Sequence, residues 1–218
     1  MQHLLHLSNK SMSNPFALDL RNEINTRFSV DSINMSYSDW VCKNTTLKAA
    51  PFNFKRFPFQ KAIVDDLHPN LHVIKISQIG LTETQIRKAA AFCARNRGVT
   101  VLMTFPNEPM MKKASQTRIM PIIENDRVFN LRGGKPIRSV DIQQIGDSYL
   151  MVVPATESSA TMIPADLIMV DEVDLSNQQM VGLLSSRMQA SSFRIMQQFS
   201  TPTFENFGIH QGYSTTDQ

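Results

Sequence analysis

The sequence has little cysteine and no long apolar run. Its two cysteines, Cys42 and Cys93, lie far apart and have no histidine or cysteine at metal-ligand spacing. Neither a disulfide framework nor a zinc site is therefore predicted. Every apolar stretch falls short of the roughly 18 residues of a membrane helix, and the first residues lack the pattern of a secretory signal. We expect a soluble protein that makes no membrane contact and works in the cytoplasm.

A strong excess of one charge is also missing. The net charge of +3 permits contact with nucleic acid but does not demand it. The length of 218 residues suits one large domain with an appendage. Residues 1–57 are polar, rich in asparagine and serine and interrupted by two prolines. They predict a helical, partly flexible N-terminal arm, and residues 58–218 predict the main domain.

The main domain alternates between short apolar runs and helical patterns. The runs at 71–76, 99–105, 148–153 and 167–170 predict strands, and the stretch 193–203 predicts a last one. Turn residues GGKP and GD predict hairpins around 130–150, and Ser176 is the expected N-cap of the helix before the last strand. Strands separated by helices predict an α/β fold with a mostly parallel sheet, whose ligands bind at the carboxyl ends of the strands.

KISQIGLT (75–82) follows the first predicted strand and opens a helix, as a phosphate-binding loop does. The lysine expected after the glycine of such a loop is absent, because Leu81 stands there, but Lys75 can reach across the loop to phosphate. The Thr82 hydroxyl stands where a magnesium ligand is found. The remaining candidate contacts are the loop residues Ser77, Gln78, Ile79, Gly80 and Leu81. Taken alone, the stretch also fits a plain structural turn.

LIMVDEVD (167–174) puts two acids at the end of a buried strand. Asp171 suits a ligand of Mg²⁺, and Glu172 suits a base that deprotonates an attacking water. Two acids after a strand also fit simple helix capping, and Asp174 is expected to be a capping or surface residue. QFSTPT (198–203) ends the last strand, and hydroxyls before its proline suit contact with a γ-phosphate or an ordinary rigid turn.

These stretches occur in an order that resembles the large terminase subunits of tailed phages, in particular the lambda-type group. The resemblance spans residues 38–218 and includes SDWVCKN (38–44), FPFQKAIVDDL (57–67) and TFPNEPMMKKASQTRIMPIIE (104–124). It implies that Gln60 reads adenine and that KISQIGLTE is a variant Walker A loop with Lys75 as its phosphate lysine. LIMVDEVD then resembles the Walker B strand, and FSTPT the coupling motif.

The resemblance implies a P-loop NTPase of the additional-strand, RecA-like class that uses ATP and Mg²⁺. It assigns catalysis to Glu172, Lys75, Ser200 and Thr201, and the metal to Thr82 and Asp171. The implied function is the ATPase motor that translocates double-stranded DNA into a procapsid, in the host cytoplasm. The implied partners are double-stranded DNA, a portal protein, a small terminase subunit and further copies in a ring. No nuclease activity is expected, because the sequence stops soon after the coupling motif.

One feature of the family is missing. Its members carry an arginine shortly before the Walker B strand, but residues 158–167, SSATMIPADL, contain none. Arg118 and Arg187 are the alternatives for that role. Two other functions stay open, a helicase-like P-loop ATPase and a catalytically inactive module for nucleic-acid binding or assembly.

Overall fold

A computed structural model describes residues 34–129, 136–156 and 163–216. The first 33 residues, most of the GGKP turn and residues 157–162 lie outside these ranges. The expectations for the start of the arm, for that turn and for much of the arginine-free stretch therefore fall outside the described residues.

The first described segment packs against the main domain. It contains α1 (Tyr37–Asn44), the short strands β1 (Thr46–Leu47) and β2 (Ala50–Pro51), and α2 (Gln60–Asp65). Trp40 of α1 is 2% exposed and belongs to the main core. Ser38 donates both its backbone N–H and its hydroxyl to the Asp65 carboxylate, at 2.7 Å each, which ties α1 to α2. The domain boundary drawn at residue 57 stays a prediction.

The main domain is built on a six-stranded sheet in the order β3-β8-β7-β4-β6-β5. Its strands are β3 (Asn70–Ile74), β4 (Thr100–Phe105), β5 (Ile142–Ile145), β6 (Ser148–Pro154), β7 (Leu167–Asp171) and β8 (Ile195–Ser200). All neighbours pair in parallel except β5, which forms an antiparallel hairpin with β6 around Gly146. The predicted mostly parallel α/β fold is confirmed. Strand β8 lies between β3 and β7, which is the position of the added strand in the additional-strand class.

The helices of the main domain are α3 (Leu81–Arg95), α4 (Glu108–Ala114), α5 (Met120–Asn125), α6 (Gln178–Leu184) and α7 (Gly208–Thr216). A π-helical turn, Ser115–Ile119, joins α4 to α5. The predicted N-cap at Ser176 is wrong by one residue. Val173–Leu175 form a 3₁₀ turn that ends at Ser176, so the Asn177 side chain accepts the N–H groups of Gln179 and Met180 instead. No helix in the described ranges is long and apolar enough to cross a membrane.

Strand β7 shows how the core positions its acids. All five residues of this strand are buried, and each fully buried large apolar side chain contributes roughly 1.5–3 kcal/mol. Leu167 and Met169 pack in the same core cluster as α3, while Ile168 and Val170 pack in the cluster of α6 on the other face. Since side chains alternate along a strand, Asp171 continues the face of Leu167 and Met169. Its carboxylate therefore lies on the α3 side, at the carboxyl edge of the sheet.

Candidate active site

A loop of residues 75–80 connects β3 to α3 at the carboxyl edge of the sheet. The strand ends at Ile74, two residues earlier than predicted, and the Lys75 N–H still donates to the Ser200 carbonyl of β8 at 2.9 Å. Gly80 has φ +73°, a conformation that glycine adopts without strain. It precedes α3 without a side-chain cap. The positive end of a 15-residue helix therefore opens toward the loop, an arrangement that favours an anion.

The loop borders a cleft of about 470 Å³. Its walls include Lys75 and residues 76–83, Glu172 from the end of β7, and Arg118 from the π-helical turn. The sheet edge thus brings together the loop, one of the predicted acids and an arginine that lies more than 30 residues from both in the sequence.

Lys75 joins the loop to both predicted acids. Its Nζ lies 2.8 Å from Asp171 Oδ1 and 2.8 Å from Glu172 Oε1, and the residue is 7% exposed. Burial disfavours the ammonium, but the two carboxylates outweigh burial and raise the pKa of Lys75 above its usual value. The lysine therefore stays charged, and two of its three N–H donors bind carboxylates.

The two acids face the same lysine because the backbone turns between them. Consecutive residues of a regular strand point to opposite faces, but Glu172 has φ 55° and ψ 55°, in the left-handed region. A residue other than glycine adopts this conformation at a cost of roughly 1–2 kcal/mol. The turn directs Glu172 toward the cleft, where its side chain is 26% exposed, while the Asp171 side chain is 6% exposed.

The position that usually carries the phosphate lysine has a different environment. Leu81 is 2% exposed and belongs to the main core. A lysine there would bury its charge among apolar side chains unless it turned out of the core. Of the two positions, only Lys75 brings a cation to the acids.

Asp171 and Thr82 provide oxygen atoms suited to a divalent cation. The Thr82 hydroxyl donates to Asp171 Oδ2 at 2.8 Å. The described residues contain no group of three or more histidine, cysteine, aspartate or glutamate side chains that would hold a metal by themselves. Magnesium in phosphate-transferring enzymes uses one or two carboxylates together with substrate phosphates. The residues fit a metal of that kind.

Gln60 lines a second, smaller pocket of about 210 Å³ beside the loop. It is 3% exposed, and its amide Nε2 donates to the Ile79 carbonyl at 2.7 Å. Its Oε1 accepts the Thr84 hydroxyl at 2.6 Å. The side chain thus binds the loop and the first turn of α3, and one N–H of its amide is left for another acceptor. Phe57 and Arg56 contribute an aromatic ring and a cation to the same pocket, 5.2 Å apart.

Ser200, the last residue of β8, and Thr201, which follows it, do not line the cleft. Ser200 is fully buried, and its hydroxyl donates to the Thr201 carbonyl at 3.2 Å and accepts the Asp174 N–H at 3.1 Å. Its carbonyl accepts the Lys75 N–H, and this hydrogen bond joins it to the loop. Asp174, expected to be a capping or surface residue, is buried and caps α7 through the N–H of Ile209. The pattern of the sequence alone gave no signal for this contact, which joins residues 35 positions apart.

The two candidate arginines have different surroundings. Arg118 is exposed on the cleft wall. Arg187 lies outside that lining, and its guanidinium donates to the hydroxyl of the neighbouring Ser186 at 3.0 and 2.8 Å.

Comparison with solved structures agrees with the fold. The structure is similar to the large terminase of bacteriophage HK97, with a TM-score of 0.67 and 9% identity over 83% of this chain and 41% of that one. It is also similar to the large terminase of a thermophilic bacteriophage, with a TM-score of 0.46 and 14% identity over 71% of this chain and 36% of that one. Another structure of that thermophilic phage's terminase, in complex with ADP, gives a TM-score of 0.44 at 13% identity over 71% and 35% of the two chains.

This chain therefore spans less than half the length of these proteins. None of the curated proteins compared with it matches its sequence. The family model described as "Phage terminase large subunit gpA, ATPase domain" matches residues 47–218, which is most of the chain. The chain belongs to this family of terminase ATPase domains.

Proposed function

We propose that this chain is the ATPase motor domain of a viral DNA-packaging terminase. In this proposal it hydrolyses ATP with Mg²⁺ and couples hydrolysis to translocation of double-stranded DNA into a procapsid. The observation that carries the proposal is the contact of Lys75 with both Asp171 and Glu172, at 2.8 Å each, beside the N-terminus of α3. Family membership supports the same function.

Phosphate binding is assigned to Lys75 and the loop. The third N–H donor of Lys75 is available to a phosphate oxygen, and Lys75 lines the cleft. Backbone N–H groups along residues 77–81, with the dipole of α3 behind them, add donors that do not depend on side-chain identity. With contacts from Lys75 and from the backbone, the loop can bind phosphate although position 81 is a leucine.

Metal binding is assigned to Asp171 and Thr82, and proton abstraction to Glu172. A bound Mg²⁺ would neutralise charge on the phosphate oxygens. The Asp171 carboxylate has lone pairs beyond those that accept Lys75 and Thr82. Glu172 is the more exposed acid and lies in the cleft wall, so its carboxylate can accept a proton from a water molecule there.

Recognition of the base and of the γ-phosphate is assigned to residues around the loop. The smaller pocket, with its Phe57 ring and the remaining N–H of Gln60, suits an adenine. Ser200 and Thr201 would sense the γ-phosphate indirectly, because the Ser200 carbonyl holds the backbone of Lys75. A movement of the Lys75 backbone would therefore be transmitted through this hydrogen bond to the turn after β8.

The proposed partners follow from the family. They are double-stranded DNA, a portal protein, a small terminase subunit and further copies of the chain in a ring, in the host cytoplasm. If the ring completes the site, an isolated domain turns over slowly. Hydrolysis should therefore rise with protein concentration and on addition of double-stranded DNA.

The experiment is Mg²⁺-dependent ATP hydrolysis at high protein concentration, with ATP binding measured separately. Glu172→Gln should keep ATP binding and lower turnover by about 100-fold or more. Glu108→Gln is the matched control, since Glu108 is an exposed acid paired with Lys112 on α4, and it should behave as wild type. Absence of both ATP binding and turnover in the wild type would rule out the motor function. Binding without turnover would favour the inactive module.

A further inference from the structure

Asp174 connects the end of β7 to the part of the chain that follows β8. It lies in the 3₁₀ turn directly after the acid pair and is 8% exposed. Its Oδ2 accepts the N–H and the hydroxyl of Thr203 at 2.8 and 2.9 Å, and its Oδ1 accepts the N–H of Ile209 at 2.9 Å. One buried carboxylate thus holds both the turn after β8 and the first turn of α7.

The backbone of Asp174 extends this connection to the nucleotide loop. Its N–H donates to the Ser200 hydroxyl at 3.1 Å, and the Ser200 carbonyl accepts the N–H of Lys75 at 2.9 Å. A continuous set of hydrogen bonds therefore runs from the phosphate lysine through Ser200 and Asp174 to α7.

The close approach of α7 to the carboxylate is built into the sequence. Gly208 has φ +54°, and a Cβ added there would lie 2.5 Å from Asp174 Oδ1 and 2.7 Å from Asp174 Cγ. Because these are atoms of a buried, hydrogen-bonded carboxylate, they have little room to move. Only glycine lets the start of α7 lie against Asp174.

We propose that Asp174 is a positioning residue that couples occupancy of the cleft to the 200–203 turn and to α7. The inference rests on the proposed function, because it requires that a nucleotide binds at Lys75 and Glu172. Glu172 lies two residues before Asp174, in a left-handed conformation that phosphate contacts can favour or release. A shift of this turn moves the Asp174 carboxylate, and its three acceptor contacts move Thr203 and Ile209 with it.

Simple helix capping is the competing explanation. A cap stabilises α7 by the same amount whether or not a nucleotide is bound, whereas a coupling residue makes that stability depend on the nucleotide. Hydrogen exchange of the amides in residues 208–216 separates the two, because exchange reports the free energy at which a helix opens locally. This measurement does not depend on turnover.

The test compares exchange in α7 with and without a non-hydrolysable ATP analogue and Mg²⁺. In the wild type, the nucleotide should change α7 exchange by about fivefold or more. Asp174→Asn replaces one carboxylate oxygen by an NH₂ group, which cannot accept from Thr203 or Ile209. This variant should bind the analogue with a Kd within about threefold of wild type and lose the α7 response.

Two further variants keep the test decisive. Asn177→Ala removes the cap of α6, which lies off this route, and should retain the full α7 response. Thr203→Val removes only the hydroxyl contact and should reduce the response even if the asparagine variant fails to fold. A wild type that binds the analogue without any α7 response overturns the inference alone, as does a full response in both Asp174→Asn and Thr203→Val. A wild type that binds no analogue overturns the proposed function and this inference together.

Discussion

Two buried lysines on the same side of the sheet have opposite electrostatic environments. Lys75, at the carboxyl edge, is 7% exposed and contacts two carboxylates. Lys88, on α3 beneath α2, is fully buried and donates to two backbone carbonyls, those of Ile63 and Asp66. Burial by itself would lower the pKa of both ammonium groups. Carboxylates reverse the effect at Lys75 and raise its pKa, whereas the pKa of Lys88 is lowered to about 7.

The partner of a buried lysine, rather than its burial, decides what that lysine can do. A charged ammonium at an open cleft is suited to phosphate, and its acids keep it charged. Lys88 donates to two carbonyls, a contact that needs no charge on its amino group. Lys88 therefore binds the C-terminal end of α2 to α3. This contact helps to hold Gln60, at the start of α2, against the loop.

The largest effect is expected from the loss of the lysine at the cleft. Lys75→Ala removes the cation that faces the phosphates and leaves two adjacent carboxylates without their shared partner. Turnover should fall by roughly 10²–10³-fold, the usual effect of losing one preorganised charge contact. ATP hydrolysis of Lys75→Ala is measured against Lys113→Ala, which removes an exposed lysine of α4. Equal rates in the two variants would contradict the assignment of Lys75.

A smaller effect, on stability, is expected at the second lysine. Since the pKa of Lys88 is about 7 in the folded protein and near 10.5 in the unfolded chain, the unfolded chain binds more protons between these values. The contribution of Lys88 to the free energy of unfolding should thus rise with pH in this window, by up to about 1.4 kcal/mol per pH unit. Below pH 7 both states are protonated and the full cost of burying the charge remains.

Lys88→Met removes this titration and keeps an unbranched side chain of similar length. Denaturant unfolding at pH 6, 7.5 and 9 should show a wild-type stability that increases relative to the variant as the pH rises. Lys61→Met is the control, because Lys61 is an exposed lysine of α2 paired with Asp39. Parallel pH profiles for wild type and Lys88→Met would show that Lys88 does not change its protonation in this range.

The sequence predicted features that depend on local patterns. The five residues of β7 were recognisable because a parallel strand buried on both faces is continuously apolar, and two acids at its end indicated chemistry. Spacing alone favoured a lysine at position 81. Lys75 was a candidate because it can reach across the loop, and the resemblance to terminases then identified it as the phosphate lysine. The sheet then brought Lys75, Asp171 and Glu172 together as the parallel topology requires.

Features that depend on contacts between distant residues were not predictable. Nothing near Asp174 in the sequence indicates that Thr203 and Ile209 bind it. The orientation of Gln60 toward the loop depends on Thr84, which is 24 residues away. Roles in adenine and γ-phosphate recognition for Gln60, Ser200 and Thr201 stay predictions. The N-cap of α6 is Asn177 rather than Ser176 because residues 173–175 form a 3₁₀ turn that ends at Ser176. Such a turn has no strong sequence signal.

The smallest effect is expected at a cation that is neither buried nor paired. Arg118 is exposed on the cleft wall, and within the described part of the chain no hydrogen bond or ion pair engages its guanidinium. The π-helical turn that carries it is a feature often found at functional sites. An exposed arginine without a partner contributes little to stability. The free energy of unfolding of Arg118→Ala should therefore lie within about 0.5 kcal/mol of the wild-type value.

Its effect should instead be on turnover. We expect Arg118→Ala to lower the rate of ATP hydrolysis by about tenfold with little change in ATP binding, because the guanidinium gains most from charge that develops in the transition state. Arg187→Ala, which changes the other candidate arginine, should hydrolyse ATP as wild type does. A loss of turnover in Arg187→Ala but not in Arg118→Ala would reverse the assignment. Equal turnover in all three proteins would exclude both arginines, and the charge on the phosphates would then be met within this chain by Lys75 and the loop alone.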